Sequence, residues 1–198
     1  ARDVYMQCGK CKQAIKKNLP SDVYASRPTV YKTGSGSASL ASMPRTIVSS
    51  DKNRSAYYLF HFELGIPDDI IRKLPNYAFA VEYTDHARRA ALDDRFGVIE
   101  KLPGGIDPNN PKTQVIEVQV DKRTERIIKV VYRVPYSKQR DLVLAVAFPE
   151  GRVKTVWSNL VDDTHKTVKE KNYDLPDYFR NPAAYNNVTY EYVSPRRY

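Results

Sequence analysis

Between Thr113 and Asn159 the chain carries four strand-like runs joined by short turns, and no other feature constrains the fold as strongly. Thr113 to Val120 alternates, with Ile116, Val118 and Val120 on one face. Asp121 to Thr124 turns the chain. Arg126 to Val134 alternates again, setting Ile128, Val130, Tyr132 and Val134 on one side and Lys129 and Arg133 on the other. Asp141 to Phe148 is nearly all apolar, the pattern of a central strand buried on both faces. Pro149-Glu150-Gly151 turns, and Arg152 to Asn159 returns with Val153, Thr155, Trp157 and Asn159 on one face. Connections this short join antiparallel neighbours. The expectation is a meander of about four strands.

Upstream, Tyr77 to Tyr83 is a strand candidate rich in aromatic and β-branched residues. Thr84 or Asp85 can cap a helix that runs to Phe96 and stops at Gly97. Ala87, Ala90 and Ala91 give that helix a small-residue packing stripe. His86, Arg89 and Asp93 fall on a neighbouring stripe at i, i+3 and i+7. The fold class expected is α+β, a helix packed on a curved antiparallel sheet, with residues 76–170 as its body.

The flanks read differently. Residues 1–75 show no independent core: Val4 to Leu19 suits a short basic helix, and Ser21 to Ser55 is dominated by Ser, Thr, Gly and Pro around Gly34-Ser35-Gly36-Ser37-Ala38-Ser39. Tyr57 to Leu64 is a strand candidate, broken by Gly65-Ile66-Pro67, and Asp68 to Leu74 fits two helical turns. Residues 171–198 carry Tyr173, Tyr178, Phe179, Tyr185, Tyr190, Tyr192 and Tyr198 among prolines. Such segments cannot offset their chain entropy by themselves. Tyrosine combines a large contact area with a polar tip. Both flanks are therefore expected to be extended arms that interlock with neighbouring protein subunits.

A formal charge of +9 across 198 residues favours polyanionic partners, RNA or DNA. From Asp121 to Arg140 seven basic residues stand against Asp121 and Glu125 alone. Of these, Lys122, Arg123, Arg126, Lys138 and Arg140 are candidates for nucleic-acid binding. The plainer reading is a solvated pair of strands. Cys8 and Cys11 supply half a zinc site, and there is no second pair. His61, between Phe60 and Phe62, reads as a satisfied histidine in an apolar strand, so neither a metal nor a cofactor is expected. No apolar run approaches the roughly 20 residues of a membrane helix. Nor does a charged-then-apolar leader open the chain, so neither membrane insertion nor signal-peptide secretion is expected.

Several short segments carry a resemblance. Tyr83-Thr84-Asp85-His86-Ala87 is followed by Ile116-Glu117-Val118, Lys129-Val130-Val131-Tyr132-Arg133 and Asp141-Leu142-Val143-Leu144. Thr155-Val156-Trp157-Ser158-Asn159 and Asp163-Thr164-His165-Lys166-Thr167 complete the set. In order and spacing they resemble the superfamily uniting barnase, EndoU, colicin-type and RelE-type ribonucleases, especially its phage and toxin-like members, over about residues 76–170. The resemblance implies metal-independent RNA cleavage, in which the 2′-hydroxyl attacks the adjacent phosphorus. That reaction needs a base, an acid for the leaving 5′-oxygen, and donors for the developing phosphorane. By position, the resemblance gives His86 and His165 the acid and base roles, Lys129 and Arg133 the phosphate, and Thr155 a hydrogen bond. Each has a plainer role. His86 also suits a helix start, His165 a pair with Asp162 or Asp163, Lys129 and Arg133 a wet sheet face, and Thr155 any strand.

Arms, tyrosines and the phage-like resemblance together predict a structural subunit of a phage-like virion or tail complex, located in the virion. The alternative is a cytoplasmic, toxin-like ribonuclease. A third reading is a nucleic-acid-binding module without catalysis.

Overall fold

The computed structural model describes residues 45–163, 168–180 and 188–195. The expected Val4 to Leu19 helix, Gly34 to Ser39, Cys8, Cys11, His165, Tyr185 and Tyr198 lie outside them. The alternating runs become β6 (Gln114–Asp121), β7 (Ile127–Pro135), β8 (Arg140–Ala147) and β9 (Arg152–Leu160), each antiparallel to the next. Leu142 to Val146 is buried throughout, because β8 sits between β7 and β9 with both faces covered.

The sheet has six strands rather than four. β2 (Tyr57–His61) joins antiparallel to β6, and β4 (Glu82–Tyr83) adds in parallel to the other edge, giving the order β2-β6-β7-β8-β9-β4. Both additions pair with strands far along the chain, so no local alternation announces them. The fold is α+β, with a mostly antiparallel sheet and few helices. A small two-stranded pair, β3 (Phe79–Ala80) with β5 (Gly105–Ile106), closes the loop before β6.

One hydrophobic cluster holds the body together. It joins Phe60, Val118, Val130, Tyr132, Leu144 and Val146 of the sheet to Ile70 and Ile71 of α1 (Asp68–Lys73) and to Ala87 and Ala91 of α2 (Asp85–Leu92). Residues 57–74 therefore share the core of the body instead of standing apart from it.

Two local deviations shape the region between α2 and β9. Helix α2 ends at Leu92, four residues before the expected Phe96. Asp94 explains the early stop: its carboxylate accepts from Phe96 N (3.0 Å), Ser158 N (2.8 Å) and Ser158 Oγ, so the chain turns toward β9 instead of winding on. In β9, Thr155 opposes Ala145 while Val153 opposes Val146, leaving Lys154 as a bulge. Val153 is thereby turned to the opposite face from Thr155 and Trp157, against the simple alternation. Gly151, at φ 68° in the β8–β9 turn, has the Ala80 carbonyl oxygen 3.0 Å from where a Cβ would stand.

The described parts of both flanks fold back onto the body. β1 (Arg45–Ser49) pairs in parallel with β10 (Val188–Tyr192). The segment before α3 (Pro176–Arg180) runs along the outer edge of β2, where Asp174 N donates to Leu59 O (2.8 Å) and Leu59 N donates to Asp174 Oδ2 (2.8 Å). Tyr173 Oη donates to Glu117 Oε1 at 2.6 Å, and Phe179 meets Tyr58 and Phe60 edge-on. An edge strand with bare N–H and C=O groups invites other chains to pair with it. Here the chain covers its own edge.

The tyrosines are used in the same way. Arg45 lies over Tyr178, Arg54 over Tyr57 and Tyr190, Lys52 over Tyr192, and Lys122 over Tyr58 and Tyr190. Among the described residues no helix is long and apolar enough to cross a membrane.

Candidate functional site

Thr84 caps α2 with its side chain, accepting from Ala87 N at 3.1 Å. Its N–H donates to Val153 O (3.1 Å) and its hydroxyl to Lys154 O (3.3 Å), so the helix start is tied to the edge of β9. Tyr83, just before it, donates its hydroxyl to Pro103 O at 2.6 Å, and burial pushes that phenol up to about 12. At its far end the chain is tied again, through Asp94 to Ser158. Pinned twice, α2 runs beside β9 with its His86–Arg89–Asp93 stripe turned toward the strand.

Between helix and strand lies an open groove of about 700 Å³, lined by His86, Arg89, Asp93, Arg95, Thr155 and Trp157, with Ala90, Asp94 and Val156 beneath. His86 and Arg89 are exposed, Thr155 and Trp157 half-buried. Among the described residues, the side chains of His86, Arg89, Thr155 and Trp157 have no hydrogen-bond partner, so their polar atoms face the groove uncommitted. Arg95 is held by Asn159 Oδ1 at 2.7 Å, lies over the Phe96 ring, and stands 3.6 Å from Asp163.

The two aspartates are not equivalent. Asp93 is exposed. Burial works against the charged form of Asp94, yet the Ser158 hydroxyl and N–H, the Phe96 N–H and the Arg140 charge outweigh it and hold the carboxyl below its ordinary range. Its charge serves the structure. Among the described residues the charge of the groove is then that of Arg89 and Arg95 against Asp93, with Asp163 3.6 Å from Arg95 and Arg140 beside it.

The structure thus brings His86 and Thr155 together and leaves Arg133 and Lys129 out of the groove. Arg133 is buried and fully engaged: Nε donates to Asp141 Oδ2 (2.7 Å), Nη1 to Asp163 O (3.0 Å), and Nη2 to Leu160 O (2.8 Å) and Val161 O (3.2 Å). It clamps the end of β9 with four of its five N–H donors, is buried, and does not line the groove. Lys129 shares a sheet face with Thr155. It lies two strands away and two residues along, about 12 Å at ordinary strand spacing and rise, and its charge acts on Asp51. His165 lies outside the described residues.

The basic residues of 121–140 do not form one patch. Lys122 donates to Tyr190 Oη at 2.6 Å, and burial lowers its pKa, so it serves the fold. Arg123 and Arg126 are exposed on the β6–β7 turn, and Lys138 is exposed on the β7–β8 turn. Those turns stand at opposite ends of the nine-residue strand β7, roughly 30 Å apart at about 3.3 Å per residue. Arg140, at the second turn, donates to Phe96 O (2.9 Å) and lies over Tyr136. Only this second group adjoins the groove, because Arg140 and Asp141 are paired with Leu160 and Asn159 of β9.

Arg89 and Asp93 are visible in the sequence as a stripe with His86, and Trp157 as a face-mate of Thr155. Neither pattern alone says that the two faces meet. No family model, curated protein or solved structure matches this chain.

Proposed function

We propose that the α2–β9 groove is an RNA site and that the protein is a metal-independent ribonuclease acting by 2′-hydroxyl transphosphorylation. The single observation that supports this best is the meeting of His86, Arg89 and Thr155 in one open groove, with no described residue hydrogen-bonded to their side chains. The imidazole is the side chain best suited to accept the 2′-hydroxyl proton near neutral pH. Arg89 and the Thr155 hydroxyl supply donors where the phosphorane gains charge. The likeness of Tyr83-Thr84-Asp85-His86-Ala87 and Thr155-Val156-Trp157-Ser158-Asn159 to barnase/EndoU/colicin/RelE-type ribonucleases agrees in placing a histidine and a threonine here. In that reading His165 is the second proton-transfer group.

The test is to incubate the protein with single-stranded RNA in EDTA and analyse the new ends. Cleavage leaving 2′,3′-cyclic phosphates is expected. RNA left intact, or ends bearing 3′-hydroxyls, would overturn the reading.

A second reading is a structural subunit of a phage-like virion or tail. Its support is a set of exposed apolar side chains on the loop after α2 and at the end of β9: Phe96, Val98, Leu160 and Val161. The described flanks speak against it, since they dock on the body that carries them.

A further inference from the structure

Trp157 is the one tryptophan in the chain, and it sits in the groove wall. Its strand partner is Val143, which is fully buried, and the indole packs against the main hydrophobic cluster while staying partly open to the groove. An aromatic ring held on one side by a core and open on the other loses little entropy when a flat ligand stacks on it. Thr155 stands two residues away on the same face, and Arg89 and Arg95 reach in from across the groove. Arg95 is itself braced by Asn159 and Phe96, with Nε and Nη1 left free among the described residues. We infer that this groove binds single-stranded RNA by stacking one unpaired base on Trp157, with Arg89 and Arg95 on the flanking phosphates.

The inference rests on the RNA reading of the groove and adds to it the state of the substrate. A base paired within an A-form helix is stacked between its neighbours and cannot lie flat on a recessed indole, whereas an unpaired base offers a free π-face. The charge balance fits a short contact. With Asp93, the Asp94 carboxylate and Asp163 beside Arg95, the groove is not a broad cationic track, so two phosphate contacts, the outer one made by the free Nε and Nη1 of Arg95, are the expected number.

Trp157 is its own reporter. The wild-type protein is titrated with a 2′-O-methyl RNA oligonucleotide, which cannot cleave itself, while tryptophan emission and the anisotropy of a label on the oligonucleotide are read together. Saturable quenching by the single strand and none by its duplex is expected. The logarithm of affinity should fall against the logarithm of salt with a slope of about −1.4, the value for two phosphates on a single strand. Trp157→Ala should bind about 5- to 150-fold more weakly, the span that base–aromatic stacking accounts for. Trp157→Phe, which keeps the apolar packing, should bind more tightly than Trp157→Ala. Binding seen by anisotropy without any change in emission would overturn the inference, as would equal affinity for the duplex or no binding at all. Cleavage in EDTA without quenching would remove the stacking inference and leave the nuclease reading. Quenching without cleavage would do the reverse.

Discussion

Asp174→Ala should destabilise the protein by about 3–5 kcal/mol in urea denaturation, the usual cost of stranding one member of a buried ion pair. Arg54 and Asp174 are buried almost completely, with side-chain exposures of 3% and 1%, and meet at 2.7 Å. Removing the carboxylate leaves the guanidinium in place with Tyr57 O (2.6 Å) as its other acceptor, and strips Leu59 N of its partner. The double variant Arg54→Met with Asp174→Ala should recover part of the loss, because no charge is then left buried. The result bears on function as well as stability. Asp174 pins the segment 173–179 to the edge of β2, and with it the ordering of the C-terminal flank on its own body. A cost under about 1 kcal/mol would mean that this clasp is loose and the edge of β2 accessible, which would return weight to the assembly reading.

His86→Ala should lower the rate of RNA cleavage in EDTA by about 10²- to 10⁴-fold, the share that general acid–base catalysis commonly supplies. Stability should stay within about 0.5 kcal/mol of wild type, since the side chain is exposed and makes no hydrogen bond with the described residues. Arg133→Ala is the instructive contrast. It should also reduce activity, but through unfolding, because its four internal hydrogen bonds, one to Asp141 of β8 and three to carbonyls of 160–163, tie β7 to β8 and to the end of β9. Equal cleavage by wild type and His86→Ala would remove the imidazole from the mechanism.

The central strands are legible in the sequence because a sheet imposes a period of two on residues that must choose between core and solvent. Gln114 to Asp121 alternates strictly in the structure, and the apolar run of β8 marks a strand buried on both faces. Whatever depends on distant pairing escapes such a reading. Arg45 to Ser49 reads as part of a polar arm, yet it finds Val188 to Tyr192 some 140 residues on, and Ile47 becomes fully buried there. The C-terminal tyrosines read in the sequence as a surface for neighbouring subunits, whereas their described members dock on Arg45, Arg54, Lys52 and Lys122 of the same chain. Cation–π partners at such separations leave no local pattern.

The site is legible to a similar depth. His86 and Thr155 stand out separately in the sequence, and they face the same groove because Thr84 and Asp94 tie α2 alongside β9. Alternation puts Arg133 on the correct face, with Lys129, but face membership does not reveal that the 160–163 turn supplies three carbonyls to it. Position 154 misleads the alternation for a physical reason: a bulge inserts one residue and reverses every side chain before it.

Whether the α2–β9 groove is the proposed RNA site can be read directly by photo-crosslinking a 4-thiouridine-labelled single strand to the wild-type protein in EDTA and mapping the attached peptides. Adducts concentrated on 85–95 and 155–159, the two walls of the groove, are the expected result. Adducts confined to the 121–126 turn, or scattered over the surface in proportion to exposed lysine and arginine, would contradict it.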